Sequence, residues 1–335
     1  MVSSRAVKVL VTGASGFIGS RLVARLLAEG EDVRVVILPD ELPDLTAGLD
    51  GAEIVRGDIR DRDAMKKAAS GVSRIYHLAA VVGDWGDDAL FQAINVEGTR
   101  NMLDAACAAG CDRFVLASSI VVYGWQLRVG RCDEEARREY GVGPYSRTKR
   151  ESEQLVLDYH RMGRVPVTVV RPGNVYGPGS PLWVAQLVVL LRAGSMVLVA
   201  GGGGDAALAY VDNVVDVLAR AGVAATAAGK IYNAVDGSGV TWKQYITDLA
   251  DITGARRPRR SLSLPLARAL AAIMENAFSA LRRPGRSLLT TESVILVSSR
   301  RAVSIDRAVD ELGYRPISYD DAMQRVALYL QGQSQ

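Results

Sequence analysis

The 335-residue sequence predicts an α/β fold: a doubly wound parallel sheet with a smaller, mainly helical C-terminal lobe. Apolar runs rich in β-branched residues alternate with helical patterns as far as about Pro172, which is typical of a parallel sheet. The apolar share of 49% is enough to fill a sizeable core. We expect residues 1–172 and 205–235 to form the sheet domain, and residues 173–204 and 236–335 to form a substrate-binding lobe.

The chain opens with the pattern of a strand, a glycine-rich turn and a helix. Residues 6–11 are apolar and β-branched, as expected of a strand covered on both faces, and residues 20–29 are amphipathic. Gly13, Gly16 and Gly19 lie between them. Glycines here permit a tight turn and close approach of a pyrophosphate, which would meet unpaired N–H groups at the helix N-terminus. The segment therefore predicts a dinucleotide site.

The next strands bear on which dinucleotide binds. The second strand should end beside the adenosine ribose, where an acid favours NAD and an arginine accepts the extra phosphate of NADP. Residues 37–40 fit neither pattern cleanly, so the choice between NAD and NADP is open. Asp58, after the third strand, could bond the adenine amine or be a solvated turn residue. Residues 75–80 predict the fourth strand, whose small residues let backbone approach the cofactor, and we expect His77 to be structural.

Tyr145 and Lys149 lie one helical turn apart, and Ser118 and Ser119 lie upstream. A free phenol, with a pKa of about 10, is a poor base at neutral pH, and a nearby ammonium favours its ionised form. Beside a bound nicotinamide, a tyrosine with such a partner can move the proton that accompanies a hydride transfer. These residues therefore indicate a redox enzyme.

Taken in order along the chain, these motifs resemble the extended short-chain dehydrogenase/reductase superfamily, which has the NAD-dependent epimerase/dehydratase fold. Matching motifs also lie at residues 77–80, 95–99, 122–124 and 171–172, so the resemblance covers nearly the whole chain. It implies a Rossmann domain and an NAD(P)-dependent enzyme. Asn95 is expected to tie a loop to a helix and is not predicted to be catalytic.

The resemblance also implies roles for individual residues. Tyr145 would be the general acid/base that moves the substrate's hydroxyl proton, and Lys149 would bond the nicotinamide ribose and lower the tyrosine pKa. Ser119 would hydrogen-bond the reacting oxygen, with Ser118 as the fallback, and Tyr123 would be a structural or pocket residue. The implied cofactor-binding positions are Gly13, Ser15, Gly16, Phe17, Ile18, Gly19, Asp58, Ile59, Leu78, Ala79, Ala80, Tyr145, Lys149, Pro172 and Val175.

The C-terminal part resembles one branch of this superfamily, the 3β-hydroxysteroid dehydrogenases and bacterial keto-lipid reductases. The pattern lies at residues 264–265, 288–291 and 311–316, and residues 210–213 also fit it. This branch implies hydride transfer between NAD(P) and a secondary alcohol or ketone of a lipophilic substrate, such as a hydroxysteroid, a sterol or a long-chain keto-lipid.

Two positions bear on the alternative, a nucleotide-sugar epimerase or dehydratase with tightly bound NAD. Asn174 matches the asparagine with which those enzymes approach the diphosphate. Ala206 stands where they carry an arginine that clamps phosphate with a fixed fork of donors. A diphosphate would therefore lose its expected partner. A nucleotide-sensing protein without catalysis is disfavoured, because Tyr145 and Lys149 both remain.

The lobe contains a basic amphipathic segment. Residues 263–281 carry apolar side chains at near-helical spacing, and residues 256–286 hold eight arginines against one acid, Glu275. Such a segment can make peripheral contact with an anionic membrane surface. Its apolar face can also simply close the lobe against the core, and the two interpretations are compatible.

Charge and cysteine content narrow the partners and the location. The net charge of +3 predicts no nucleic-acid partner. The cysteines are Cys107, Cys111 and Cys132. They have no metal-ligand spacing with the two histidines, so we expect no metal site. We read them as packing residues in a reducing, cytoplasmic location. The first apolar run indicates a strand rather than a signal peptide. Helices at residues 95–109 and 146–161 would form a homodimer interface, as is common in this superfamily.

Overall fold

The computed structural model describes residues 8–46, 48–129, 132–136, 143–280 and 289–333, so the predictions for residues 1–7 and 281–288 lie outside the described residues. The strands are β1 (Lys8–Thr12), β2 (Asp32–Ile37), β3 (Glu53–Arg56), β4 (Arg74–His77), β5 (Arg113–Ala117), β6 (Val167–Pro172), β7 (Asn174–Tyr176), β8 (Leu198–Val199), β9 (Leu208–Tyr210), β10 (Ile231–Ala234) and β11 (Ser261–Leu262). The helices are α1 (Phe17–Ala28), α2 (Pro43–Thr46), α3 (Arg62–Ala68), α4 (Asp88–Phe91), α5 (Thr99–Ala109), α6 (Gln126–Val129), α7 (Pro144–Arg161), α8 (Leu187–Arg192), α9 (Val211–Val223), α10 (Trp242–Thr253), α11 (Leu264–Ala280), α12 (Thr291–Val297), α13 (Asp306–Leu312) and α14 (Tyr319–Gly332).

A parallel sheet lies at the centre of the described residues, and its seven strands follow the order β10-β6-β5-β4-β1-β2-β3. The chain runs outward from β1 through β2 to β3 and then returns to place β4 on the other side of β1. The predicted doubly wound sheet is confirmed. Because parallel strands end at one edge, the loops after β1, β4, β5 and β6 meet at the crevice where such folds bind ligands.

Helices cover both faces of this sheet. On one face, α1 and α9 bury Leu22 and Val217 against Tyr76 and its neighbours. On the other face, α3, α5 and α7 bury Met102 with Phe114 and similar residues. Burial on both faces explains why the inner strands β1, β5 and β6 are mostly apolar, whereas the edge strand β3 is largely exposed.

The C-terminal elements divide between the sheet and a second apolar cluster. Tyr176, Trp242 and Tyr245 lie in that cluster, together with residues of α8, α10 and α14. By contrast, α13 packs against β10 and α9, and the Tyr314 hydroxyl donates to the Val235 carbonyl at 3.0 Å. Part of the predicted lobe at 236–335 therefore lies on the sheet. The division of the chain into a sheet domain and a lobe stays a prediction.

Several element boundaries differ from the sequence-based ones. The first helix begins at Phe17 rather than at residue 20, because the glycine loop leads directly into it. The fourth strand ends at His77, which leaves residues 78–80 as a loop. The predicted helix at 95–109 consists of a wider π-helical stretch, Gln92–Gly98, followed by α5. Helix α10 begins after a cap at Thr241, whose hydroxyl accepts from the Gln244 N–H.

Candidate active site

The first turns of α7 carry the predicted catalytic pair. The Lys149 ammonium donates to the Ala117 carbonyl at the end of β5, at 2.8 Å, and lies 5.8 Å from the centroid of the Tyr145 ring. The Tyr145 hydroxyl is hydrogen-bonded to Ser119, which follows β5. The structure thus brings Ser119, Tyr145 and Lys149 together at the carboxyl edge of the sheet.

The electrostatics of this group differ from the expectation. Burial raises the pKa of Tyr145, the charge of Glu292 raises it further, and the hydrogen bond with Ser119 lowers it. We expected Lys149 to lower the pKa of Tyr145, but in these surroundings that pKa is raised. Burial lowers the pKa of Lys149 to about 8, with Glu153 acting in the opposite direction. Lys149 is buried and Tyr145 is partly buried, and these surroundings favour the neutral form of each side chain.

A buried polar network lies beneath the pair. Arg171 donates to both carboxylate oxygens of Glu153, at 2.9 and 2.7 Å, and to the Tyr123 hydroxyl at 3.0 Å. The Tyr123 hydroxyl in turn donates to Asn233 at 2.8 Å. The Ser118 hydroxyl donates to Glu153 at 2.5 Å and is therefore part of this network. This contact disfavours Ser118 as the alternative to Ser119 for binding the reacting oxygen. Tyr123, predicted to be a structural or pocket residue, is fully buried in this network.

The glycine loop is shaped for close approach. Gly13 has φ +69°, and a Cβ there would lie 2.7 Å from the Ala79 backbone nitrogen. A Cβ at Gly19 would lie 2.0 Å from the Gly13 carbonyl oxygen. Gly16 precedes α1 without a side chain that caps the helix, which leaves the first-turn amides of Phe17 and its neighbours available for a phosphate. These residues fit the diphosphate of NAD(P).

The other predicted cofactor positions lie around this crevice with different surroundings. Pro172 ends β6, Val175 lies in β7, and residues 78–80 follow β4. Asp58 is paired with Arg60 at 2.6 Å, and this hydrogen bond is the main reason that its pKa is lowered. An adenine amine would have to share the carboxylate with that guanidinium.

Three further positions are engaged in packing or hydrogen bonds. The Ile59 side chain is buried in the core, beside Gly98, so a contact with the cofactor would have to use its backbone. Ile18 packs against the cluster that α1 shares with α9. The Ser15 hydroxyl donates to Glu41 at 3.0 Å, and sequence reasoning had not singled out Glu41.

His77 and Asn95 have the structural roles expected of them. His77 is buried, and its ring nitrogens are hydrogen-bonded to Thr12 at 2.8 Å and Thr99 at 3.0 Å. The Asn95 side chain accepts from the Val81 N–H at 2.8 Å and donates to the Val81 carbonyl, which ties the loop after β4 to the π-helical stretch.

Glu292 is a second residue that the sequence analysis missed. It is 7% exposed, and its carboxylate accepts from the Ser146 hydroxyl at 2.8 Å. It lies in a small pocket whose other lining residues are Val121, Gly124, Leu127, Ser146, Ile295 and Leu296. Ser146 and Glu292 are 146 positions apart, so no local sequence signal could have joined them.

The two positions that bear on nucleotide-sugar binding are both internal. The Asn174 amide donates to the Ala206 carbonyl at 2.6 Å, and both residues are buried. Neither position presents a charged group. Ala206 therefore offers no cationic clamp of the kind that a diphosphate requires.

The fold and the site together define a dinucleotide-dependent enzyme of the doubly wound α/β class. The chain belongs to the NAD dependent epimerase/dehydratase family, whose model matches residues 9–234. It is accordingly an NAD-dependent enzyme of the extended short-chain dehydrogenase/reductase type. Its cofactor is NAD(P), with the choice between NAD and NADP open.

Known proteins similar to this chain include reductases, dehydrogenases and a dehydratase. A 2-alkyl-3-oxoalkanoate reductase of Stenotrophomonas maltophilia is 30% identical over 95% of this chain and 98% of its own. A 3beta-hydroxysteroid-dehydrogenase/decarboxylase, isoform 1, of Arabidopsis thaliana is 29% identical over 92% of this chain and 76% of its own. The dTDP-glucose 4,6-dehydratase DesIV of Streptomyces venezuelae, solved with NAD bound, superposes with a TM-score of 0.77 at 26% identity over 97% of each chain.

Across the described ranges, from residue 8 to residue 333 with their gaps, no helix is long and apolar enough to cross a membrane.

Proposed function

We propose that this enzyme transfers a hydride between NAD(P) and a secondary alcohol or ketone of a lipophilic substrate, a hydroxysteroid, sterol or long-chain keto-lipid. The observation that carries the proposal is the grouping of the Ser119 and Tyr145 hydroxyls and the Lys149 ammonium at the carboxyl edge of the sheet, where the nicotinamide would bind. The similarity to an oxoalkanoate reductase and a hydroxysteroid dehydrogenase supports the same substrate class.

Each catalytic residue has a distinct part in this proposal. Bound NAD(P) supplies or accepts the hydride. The hydroxyls of Ser119 and Tyr145 hold the substrate oxygen, and Tyr145 exchanges the proton with it. Because the pKa of Tyr145 is raised, its hydroxyl is protonated at neutral pH and disposed to donate to a ketone oxygen as the alcohol forms. Lys149 is held by the Ala117 carbonyl, and its remaining N–H groups would bond the nicotinamide ribose.

The decisive experiment follows nicotinamide absorbance with the purified protein. Keto-lipids and hydroxysteroids are compared with nucleotide sugars, each with NAD⁺, NADH, NADP⁺ and NADPH. We expect stoichiometric cofactor turnover with a lipophilic substrate, and the same assay identifies the preferred cofactor. Conversion of a nucleotide sugar without net cofactor change would replace the proposal with the alternative, an epimerase or dehydratase with tightly bound NAD, which the likeness to DesIV keeps in view.

Tyr145→Phe tests the assigned proton transfer. Loss of a general acid/base should lower kcat by about 10²–10⁴-fold, while cofactor affinity stays close to that of the wild type. Tyr329→Phe, on α14, is the matched control and should leave turnover unchanged. Wild-type turnover in Tyr145→Phe would remove Tyr145 from the mechanism.

We also propose that α11 makes peripheral contact with an anionic lipid surface. Ala267 and Ala271 face the protein, whereas Leu266 and Ile273 are 48% and 63% exposed. Exposed arginines lie just before the helix, at Arg256, Arg257, Arg259 and Arg260. Positive charge beside exposed apolar side chains is the pattern of an interfacial helix. Arg282, Arg283 and Arg286 of the same predicted segment lie outside the described residues.

A flotation assay with anionic and neutral vesicles tests this contact. We expect binding to the anionic vesicles alone, and a loss of binding in Leu266→Asp/Ile273→Asp. Leu328→Asp, at an exposed apolar position on α14, is the control. Absence of binding to anionic vesicles would refute the contact. The cytoplasmic location stays a prediction.

We further propose a homodimer that pairs α5 and α7 across a two-fold axis. Both helices lie on the same face of the sheet and contact one another, so they form a continuous surface. Light scattering coupled to gel filtration should give twice the chain mass of 35.9 kDa. A monomer at micromolar concentration would contradict the proposal.

A further inference from the structure

One carboxylate of the C-terminal part reaches the start of the catalytic helix. Glu292, in the first turn of α12, accepts from the Ser146 hydroxyl at 2.8 Å, and the backbone N–H groups of Gly143 and Ser146 also donate to it. A Cβ at Gly143 would lie 2.1 Å from the Glu292 carboxylate oxygen, so only glycine leaves room for this contact. The carboxylate therefore fits the N-terminus of α7 closely, one residue away from Tyr145.

The position of Glu292 is itself fixed from two directions. Thr290 begins α12 with a reciprocal pair of hydrogen bonds to Ser293, and its hydroxyl also donates to Asp84 in the loop after β4. The N–H and the hydroxyl of Thr291 donate to Glu275 of α11, at 2.8 and 2.7 Å. Glu292 thus connects α11 and the loop after β4 to the helix that carries Tyr145.

The charged and titratable groups around Glu292 come from four elements. Tyr145 lies on α7, and Asp84 lies in the loop after β4; the charge of Asp84 raises the pKa of Glu292. Glu275 of α11 binds the residue before Glu292, and Arg128 of α6 donates to a carbonyl at the other end of α12. Burial is the largest influence and, with Asp84, raises the pKa of Glu292 to about 7. Its charge therefore changes in the neutral range.

We propose that Glu292 is a positioning residue that holds the first turn of α7 through Ser146 and, by gaining or losing its charge, sets the pH range in which Tyr145 exchanges its proton. The inference rests on the proposed function, in which Tyr145 is the proton donor. A negative charge on Glu292 disfavours a negative Tyr145, so ionised Glu292 keeps the phenol protonated as the pH rises. The protonated acid removes that influence below neutral pH.

The test follows Tyr145 directly by carbon-13 NMR of protein labelled at the tyrosine Cζ atom, with Tyr145→Phe identifying the signal. In the wild type, we expect the Tyr145 signal to move with a midpoint near pH 7, as Glu292 titrates. Glu292→Gln keeps an oxygen that can accept from Ser146 and should abolish this step. Glu97→Gln removes an exposed carboxylate that pairs with Arg100 and should leave the step intact.

Turnover supplies the second readout. In Glu292→Gln, we expect the basic midpoint of the pH–kcat profile to fall by about one pH unit, with an unchanged KM for the cofactor. A wild-type signal without a step near pH 7, or the same step in Glu292→Gln, would overturn the inference. If the wild type turns over none of the substrates, the proposed function fails, and the NMR titration still decides whether Glu292 acts on Tyr145.

Discussion

The ion pair between Arg171 and Glu153 offers a sharp test of the structure. Both side chains are fully buried, and two N–H groups of the guanidinium meet the two carboxylate oxygens at 2.9 and 2.7 Å. Arg171→Met removes the cation and leaves the Glu153 carboxylate buried, with the Ser118 hydroxyl still donating to it. The Tyr123 hydroxyl loses a donor as well.

The expected cost follows from the uncompensated charge. Breaking a buried ion pair from one side costs about 3–5 kcal/mol of unfolding free energy, and the hydroxyl left without its donor adds about 1 kcal/mol. Glu153→Leu should cost a similar amount, because it leaves Arg171 buried without its carboxylate. The double variant, Arg171→Met/Glu153→Leu, removes both charges and should be more stable than either single variant.

Urea denaturation of the four proteins at pH 7 gives this cycle. The control is Arg161→Met, which breaks an exposed pair with Asp158 and should leave the unfolding free energy nearly unchanged. Single variants that each lose less than about 1 kcal/mol, or a double variant whose loss equals the sum of the two, would refute a buried and coupled pair.

Three further predictions concern the site. Gly19→Ala places a Cβ 2.0 Å from the Gly13 carbonyl oxygen and should weaken NAD(P) binding at least tenfold in a fluorescence titration. Gly203→Ala, where a Cβ has open space, is the control and should leave the affinity unchanged. Equal NAD(P) affinities of the two variants would contradict the tight loop. Lys149→Met should abolish turnover yet raise the unfolding free energy at pH 7 by about 3 kcal/mol, because burial lowers the pKa of Lys149 from 10.5 to about 8. The unfolded chain then binds a proton that the native state lacks between about pH 8 and 10.5, so wild-type stability should rise with pH there, and this rise should vanish in the variant. Burial, with a smaller influence from the charge of Lys149, lowers the pKa of His77 from 6.5 to about 3. Between about pH 3 and pH 6.5, His77 is therefore protonated in the unfolded chain and neutral in the native state. The unfolding free energy should then fall as the pH falls, by up to about 1.4 kcal/mol per pH unit. His77→Asn should flatten this dependence and His160→Asn should not, as measured by urea denaturation from pH 7 to pH 4.

The features that were predicted correctly depend on short stretches of chain. The strand, the glycine loop and the helix that follows are encoded by consecutive residues. The four-residue spacing of Tyr145 and Lys149 places both side chains on one helix face wherever the helix lies. The alternation of strands and helices then determines a parallel sheet, whose carboxyl edge gathers these motifs. Local patterns therefore sufficed for the fold and for the proximity of Ser119, Tyr145 and Lys149.

What was missed depends on contacts between distant segments. Glu292 meets Ser146 across 146 positions, and the engagement of Ser118 with Glu153 depends on how β5 faces α7. The direction of the Tyr145 pKa was mistaken for the same reason, since burial and Glu292 oppose the influence assigned to Lys149. Desolvation is a property of the assembled site, and sequence spacing carries no measure of it.

The placement of α13 on the sheet has a consequence for how such enzymes can be altered. The chain leaves the sheet after β6, returns at β10, passes through α10, α11 and α12, and comes back to the sheet with α13, where Glu311 accepts from the Tyr232 hydroxyl at 2.7 Å. The segments predicted to bind the substrate therefore do not form one continuous stretch that could be exchanged as a unit. Replacing the whole C-terminal half with that of a relative would change the contacts between α13 and β10. Replacing only residues 242–297 would keep those contacts.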